Sequence, residues 1–403
     1  MIGNDCKVPA IRFEGFEGDW AEQQMSTMFK RIRNAFVGTA TPYYVDKDSG
    51  YFYLQSNNVK NGQINTETEI FINEDFYEKQ KDKLLKTGDM VMVQSGHVGH
   101  TAVIPKELNN SAAHALIMFS EAQEGINTYF LNYGFQTSKI KRELAFITIG
   151  NTIKHILASG MNVFRVMLPC DKEQTAIGDF FRNLDDTIAL KKQQHEKTLN
   201  IKKAMLEKMF PKKGATVPEI RFEGFTGAWE QWRLSDALKI RNEAVNSNDY
   251  DFDVELENIV SDMGTLIGDT SVRTQAKSLF RKGDTLFGRL RPYLNKWWLA
   301  DRDGLKSGEI WALIPSASFD EAFAYMIVQS DTFLSHANIS SGTKMPRADW
   351  SKVSEAVILA PSPAEQTIIG SFFRIIDELA EAQYQELEKL QNIKNACLNK
   401  MFV

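Results

Sequence analysis

Nine consecutive residues, Gly288-Arg289-Leu290-Arg291-Pro292-Tyr293-Leu294-Asn295-Lys296, set out two guanidinium forks, an amide and an ammonium, and Pro292 narrows the freedom of the loop that carries them. Such groups read nucleic acid: an arginine fork matches guanine in the major groove, Asn and Gln match adenine, and Lys holds phosphate as a point charge. Arg289, Arg291, Tyr293, Asn295 and Lys296 are therefore candidate DNA contacts, the two arginines to bases or phosphates. A second polar loop, Ser340-Ser341-Gly342-Thr343-Lys344-Met345-Pro346-Arg347, adds Thr343, with Lys344 and Arg347 suited to phosphate. The first half of the chain offers Gln94-Ser95-Gly96-His97-Val98-Gly99-His100 and Gly150-Asn151-Thr152-Ile153-Lys154-His155 at the corresponding places. Its candidates are Gln94, Ser95, His97, His100, Asn151 and Lys154. The alternative for every loop is an exposed turn with nothing bound.

The formal net charge of −5 over 403 residues argues against a protein that coats nucleic acid indiscriminately, but a total hides local fields. From Ser271 to Arg302 eight basic residues face two acidic ones. A smaller cluster, Lys139, Lys141, Arg142 and Lys154, is opposed by Glu143. One such run is ordinarily a solvated face. A run in each half favours a polyanionic partner.

Catalytic signatures are missing. There is no Gly-Lys-Ser/Thr phosphate loop and no Gly-x-Ser-x-Gly elbow, and no two prolines are adjacent, which rules out the Asn-Pro-Pro or Asp-Pro-Pro motif of amino-methylating enzymes. His97, His100 and His114 lack a fourth partner at zinc spacing, and Cys6, Cys170 and Cys397 make no paired pattern. They read as reduced thiols, and no metal site is expected. No run of eighteen apolar residues and no charged segment leading into an apolar one at the N-terminus points to a membrane or to export, so a cytoplasmic protein is expected.

What positions these loops is a chain written twice. Val8 to Trp20 returns as Val217 to Trp229 with ten of thirteen residues identical, and Glu173 to Phe210 returns as Glu365 to Phe402 with 20 of 38 shared. The regions between, Ala21 to Lys172 and Glu230 to Ala364, share almost nothing. The framing segments repeat at offsets of 209 and 192, so the first region is 17 residues longer.

The paired blocks are long helices. Steps of three and four from Phe373 reach Ile376, Ala380, Gln383, Leu387, Leu390, Lys394, Cys397 and Met401, a coiled-coil seam. The matching positions Phe181, Leu184, Ile188, Lys191, His195, Thr198, Lys202, Met205 and Met209 are apolar at the ends and polar between. Such a seam pairs the two helices within one chain while its polar middle limits other registers. Each helix runs roughly 55 Å, a strut rather than a core helix. Asp171 and Ser362 stand at the starts, Ser362 as a possible cap. The order is cyclic, which predicts that the chain ends approach each other where Lys212 to Thr216 lies in the other half. Strands are expected at Tyr51 to Leu54, Met90 to Val93, Leu144 to Ile149, Leu286 to Phe287 and Glu309 to Leu313. Gly88-Asp89 and Gly283-Asp284 open comparable strands, and Gly150 falls opposite Gly342, which suggests one fold for both regions.

The two Glu-Gln-Thr-x-Ile-Gly-x-Phe-Phe blocks, the two Val-Pro-x-Ile-Arg-Phe segments and Gly288 to Lys296 together make the chain resemble the specificity subunit of a type I restriction-modification system over essentially its whole length. The resemblance implies an α+β fold in which two mixed α/β target recognition domains are separated by a pair of long antiparallel coiled-coil helices with pseudo-twofold internal repetition. Residues 1–172 would form the first domain, 173–216 the central helix and linker, 217–364 the second domain and 365–403 the last helix. It also implies a non-catalytic subunit that reads a bipartite target with a fixed spacer. Double-stranded DNA, two modification (adenine-N6 methyltransferase) subunits and restriction (ATP-dependent translocase/nuclease) subunits would be its partners. No cofactor is expected in this chain; S-adenosylmethionine, ATP and Mg2+ belong to the partner subunits. Segments that present one surface to two copies of a partner stay alike, so Phe180, Phe181, Phe372 and Phe373 are expected to dock partners. Helices of ~55 Å would span roughly 16 base pairs at ~3.4 Å each. The alternatives are a coiled-coil adaptor that never touches DNA, distinguished by salt-insensitive partner contacts, and an unrecognised nuclease, distinguished by cleavage with magnesium alone.

Overall fold

The computed structural model describes residues 7–150, 154–245, 249–271, 277–339 and 344–403. The chain divides into two compact units, Met1–Ala189 with Lys389–Val403, and Leu190–Glu388. Each contains one divergent region together with a segment of both long helices.

The first unit centres on a four-stranded antiparallel sheet in the spatial order Phe29–Asn34, Leu116–Ala122, Met90–Val93, Thr101–Val103. The Met-Val-Met-Val strand lacks polar alternation because both its faces are covered. Met90 and Met92 enter a cluster with Phe119, Phe130 and Phe181, while Val91 and Val93 join Leu54, Leu85 and Ile104 on the opposite side. The second unit repeats the design in the order Leu238–Ile240, Ile310–Pro315, Thr285–Gly288, Trp297–Leu299. There Phe287 and Trp311 face one cluster, Leu286 and Ala312 the other. Each unit adds a smaller four-stranded sheet containing one parallel pair, Ala112–Ala113 with Tyr51–Leu54 and Asp253–Val254 with Gly304–Lys306. The main sheets of the two divergent regions share one topology, as the matching Gly-Asp turns suggest: Gly88 and Gly283 both have φ of +88°, and Asp89 and Asp284 accept from the backbone N–H of Lys86 and Arg281 at 2.9 Å. The smaller sheets differ in strand order, since Tyr51–Leu54 is internal in the first and Asp253–Val254 lies at the edge of the second.

One expected strand is a helix. Leu144 to Ile149 falls largely in helix Ser138–Ile147, which Thr137 caps by accepting from the Ile140 N–H at 3.3 Å. Ile140, Leu144 and Ile147 share its inner face and pack on the core, a three-four spacing that an alternating strand cannot use.

The long helices are Asp171–Met209, 39 residues, and Pro363–Lys400, 38 residues, each about 57 Å at 1.5 Å per residue. Pro363 opens the second, and the Gln366 N–H donates to the Ser362 carbonyl at 3.0 Å. In the second unit Lys191 meets Glu386 at 2.8 Å and Lys202 meets Asp377 at 2.6 Å, so the helices run antiparallel. In the first unit Asp185 meets Lys394 at 2.5 Å. Asp185 and Lys202 recur 192 residues later as Asp377 and Lys394, so these two ion pairs are one interaction used twice. His195, Thr198 and Lys202, the polar middle of the seam, are buried.

The repeated framing residues fasten each unit. Arg12 grips Glu173 with both forks at 2.7 Å, and Arg221 grips Glu365 identically at 2.7 Å. Gln174 accepts from the Asn127 N–H and donates to the Pro169 carbonyl; Gln366 does the same with Asp320 and Pro361. Gly178 and Gly370 have no room for a side chain, since a Cβ would come within 3.2 Å of the Phe130 nitrogen or 2.9 Å of the Phe323 nitrogen. The cyclic order holds within the units: the Ile11 N–H donates to the Lys400 carbonyl and the Ile220 N–H to the Lys208 carbonyl, both at 2.9 Å.

Candidate nucleic-acid interface

The loop after the inner strand of each unit is tied by the same three backbone hydrogen bonds. In the first unit the Gln94 N–H donates to the Ala115 carbonyl at 3.4 Å, the Ile156 N–H to the Gln94 carbonyl at 3.0 Å, and the Gly96 N–H to the Lys154 carbonyl at 3.1 Å. In the second, Arg289 donates to Glu309 at 2.9 Å, Ala348 to Arg289 at 2.8 Å and Arg291 to Pro346 at 2.7 Å. Single β-bridges, Ser95 with His155 and Leu290 with Arg347, complete the match. The two polar loops singled out in each half are thus adjacent in space, and Gln94 occupies the place of Arg289 while Gly96 occupies that of Arg291. Both of the latter sit at left-handed φ, +82° and +50°.

The side chains differ. Arg291 is exposed and its guanidinium has no partner among the described residues; Lys344 is exposed, as is Tyr293 at 56%. Arg289 lies with its guanidinium carbon 5.9 Å from the Trp311 ring centre and its Nε buried without a partner. It borders an open cleft of about 600 Å³ with Lys306, Trp311 and Arg347. Other candidates hold the loops together. Lys296 donates to the Leu256 carbonyl at 2.7 Å, and burial lowers its pKa. Asn295, also at φ +50°, donates to Asp262 at 2.8 Å. Arg347 forks onto Glu309 at 2.7 and 2.9 Å, and that bond holds Glu309 below the usual carboxylate range. The phosphate role expected of Lys296 and Arg347 is accordingly weakened, because each charge already has a partner.

In the first unit Gln94 is buried with its Oε1 unpaired. His97 Nε2 lies 3.0 Å from the Ser56 carbonyl, and His100 Nδ1 accepts from the Asn61 N–H at 3.2 Å. Burial first, then the neighbouring charge of His97, lowers the His100 pKa. Lys154 is exposed and Ser95 half-buried. Asn151 and Thr343 lie outside the described residues. Among the described residues no group of three or more His, Cys, Asp and Glu is placed to hold a metal ion, and no helix is long and apolar enough to cross a membrane.

Residues 30–200 match the family model of the type I restriction modification DNA specificity domain. That match takes in 171 of the 403 residues and lies in the first half of the chain. Over 194 residues it is 26% identical to the type I restriction enzyme MjaVIII specificity subunit of Methanocaldococcus jannaschii, covering 47% of this chain and 46% of that one. Over 289 residues it is 23% identical to the type I restriction enzyme EcoDI specificity subunit of Escherichia coli, covering 63% and 65%. The chain thus spans about half to two-thirds of the length of these relatives. The solved type I restriction-modification S subunit of M. genitalium matches 98% of this chain and 99% of its own with a TM-score of 0.62 at 13% identity, a likeness of fold.

The docking role expected of Phe181 and Phe373 does not survive. Both are 0% exposed and fill the core of their units, so neither has a face to offer. Phe180 and Phe372 are half-buried edge-on against Phe13 and Phe222 at 5.7 and 5.8 Å. The repeated Phe-Phe step therefore closes each unit. Lys306 was not foreseen: it is buried, donates to the Ile310 carbonyl at 2.9 Å, and burial pushes its pKa down to about 8, with Arg289 adding to the effect. No spacing announces it, because only the second small sheet brings it beside Arg289.

Proposed function

We propose that this chain is the non-catalytic DNA-reading subunit of a type I restriction-modification complex, acting in the cytoplasm. Residues 21–172 take one half of a split target and residues 230–364 the other, and the long helices set the spacer. Modification subunits methylate adenine at N6 and carry S-adenosylmethionine; restriction subunits carry ATP and Mg2+. An adenine within a duplex must be swung out to be modified, so the docked modification subunit supplies the pocket.

The observation that carries this reading is the pair of loops held by three equivalent backbone hydrogen bonds in both units, with an amide and imidazoles on one frame and two arginines on the other. A common frame with interchangeable polar groups is what reading two unlike half-sites requires, since base edges are told apart by donor and acceptor pattern. Arg291 and Arg289 are the base contacts of the second half, with Lys344 on phosphate. Gln94, Ser95, His97, His100 and Lys154 serve the first.

Long-read sequencing of a host carrying the chain with its modification subunits tests the reading. The expected result is modified adenines in one interrupted motif; an uninterrupted motif, or no dependence on this chain, overturns it.

A further inference from the structure

Phe146 is the most exposed large apolar side chain among the described residues, at 89%. It stands on the outer face of helix Ser138–Ile147, whose inner face is held by Ile140, Leu144 and Ile147. At 100° per residue Lys139, Arg142 and Phe146 form one stripe on that outer face. The helix is seated on the reading loop of its unit: a Cβ on Gly99 would lie 3.1 Å from Leu144 Cδ1. Three residues after Phe146, Ile149 exchanges backbone hydrogen bonds with His155 at 2.9 and 2.8 Å, and His155 bridges to Ser95. The ring therefore belongs to the same edge as the loops Gln94–His100 and Lys154–His155.

We propose that Phe146 is an aromatic wedge that stacks against a base step of the first half-site, with Lys139 and Arg142 on the flanking phosphates. The proposal rests on the DNA-reading role given above. The fold does not use this ring, and leaving it in water forgoes the burial of a large apolar surface. Its neighbours choose the partner: Arg142 stands one turn and Lys139 two turns before it on the same stripe, Glu143 is the one acid beside them, and with Lys141 and Lys154 the segment is net positive, a field suited to a polyanion. Apolar wedges unstack base steps without hydrogen-bonding them, so Phe146 contributes through deformability of the duplex rather than through a base code. Counted from the capping residues Thr137 and Ser330, the matching position of the second unit is Ile339, past the end of its helix at Ala337 and 50% exposed. An exposed aromatic at this helix position is thus found in the first unit and not at the matching place in the second.

The test uses the full chain co-purified with its modification subunits, and a duplex bearing the mapped motif with 2-aminopurine placed in turn at adenines in and beside each half-site. The unsubstituted chain should raise fluorescence at one step of the first half. Phe146→Ala should abolish that rise and weaken binding by about fivefold or more, whereas Phe146→Trp should keep both. Both variants should melt at the parental temperature, since the ring supports no packing. Retention of the rise and of affinity in Phe146→Ala, with salt-sensitive binding intact, overturns the wedge and leaves the DNA-reading role standing. Unchanged DNA binding with loss of the modification subunits also overturns it and assigns the ring to a protein contact. If the parental complex does not prefer the motif over a scrambled duplex, both proposals fall.

Discussion

The two units share one main-sheet topology and one loop frame and differ in what they attach to it. Where the first has Gln94 and Gly96, the second has Arg289 and Arg291, the latter keeping the left-handed φ that glycine adopts without cost. A non-glycine residue there stores on the order of 1 kcal/mol of strain, a cost that is reasonable at a site selected for its contacts. The seam differs in the same spirit. Asp185 is held by Lys394 and by the Tyr133 hydroxyl at 2.9 Å, whereas Asp377 has Lys202 as its one partner among the described residues. Tyr325 stands where Tyr133 does, its ring centre 5.7 Å from the Lys202 nitrogen. Identical fasteners thus tolerate unequal surroundings, because the Arg12–Glu173 and Arg221–Glu365 forks and the buried phenylalanines fix the geometry first.

The largest expected effect tests whether the fasteners are structural. Phe181→Ala and Phe373→Ala should each cost about 3–5 kcal/mol, opening only the unit that holds the ring, as followed by urea unfolding with limited proteolysis. Unaltered stability with loss of subunit binding would restore the docking role.

The seam comparison comes next. Lys202→Ala should cost about 3 kcal/mol by stranding Asp377, and Lys394→Ala noticeably less because Tyr133 still serves Asp185. Burial already raises the Asp377 pKa. A carboxyl whose folded pKa lies above its unfolded value is destabilising while ionised, so the Lys202→Ala deficit should shrink as pH falls into the carboxylate range. Equal deficits in the two variants would deny the asymmetry.

Among the loops, Arg291→Ala should weaken DNA binding by about 1–3 kcal/mol and relax one target position, read from the methylation motif of the variant. Arg347→Ala should change the motif less, since its fork is already occupied by Glu309. The smallest effect is at His195, buried in the seam where the second helix has Leu387. Burial lowers its pKa, so the folded state resists protonation and loses stability as pH falls through and below about 6.5. The stability of His195→Leu relative to the parent should rise from pH 8 to pH 5 in thermal unfolding; a constant offset would count against burial as the cause.

Much of this was legible in the residues. The repeat, the long helices, the seam with its buried polar middle and the strands at Tyr51–Leu54 and Met90–Val93 are local or periodic, and a period is written directly in side-chain order. The pairing of the two polar loops was legible only as a shared offset. What tertiary structure decided are contacts between distant residues. Leu144 lies in a helix because Thr137 caps it and Gly99 lets it pack, neither of which its own neighbours reveal. The Phe-Phe step turned inward because the core, not a partner, received it. Lys296 and Arg347 commit their charges to Leu256 and Glu309, while Arg291 has no partner among the described residues. Residue type sets what a group can bond to, but only the fold determines which bonds are already taken.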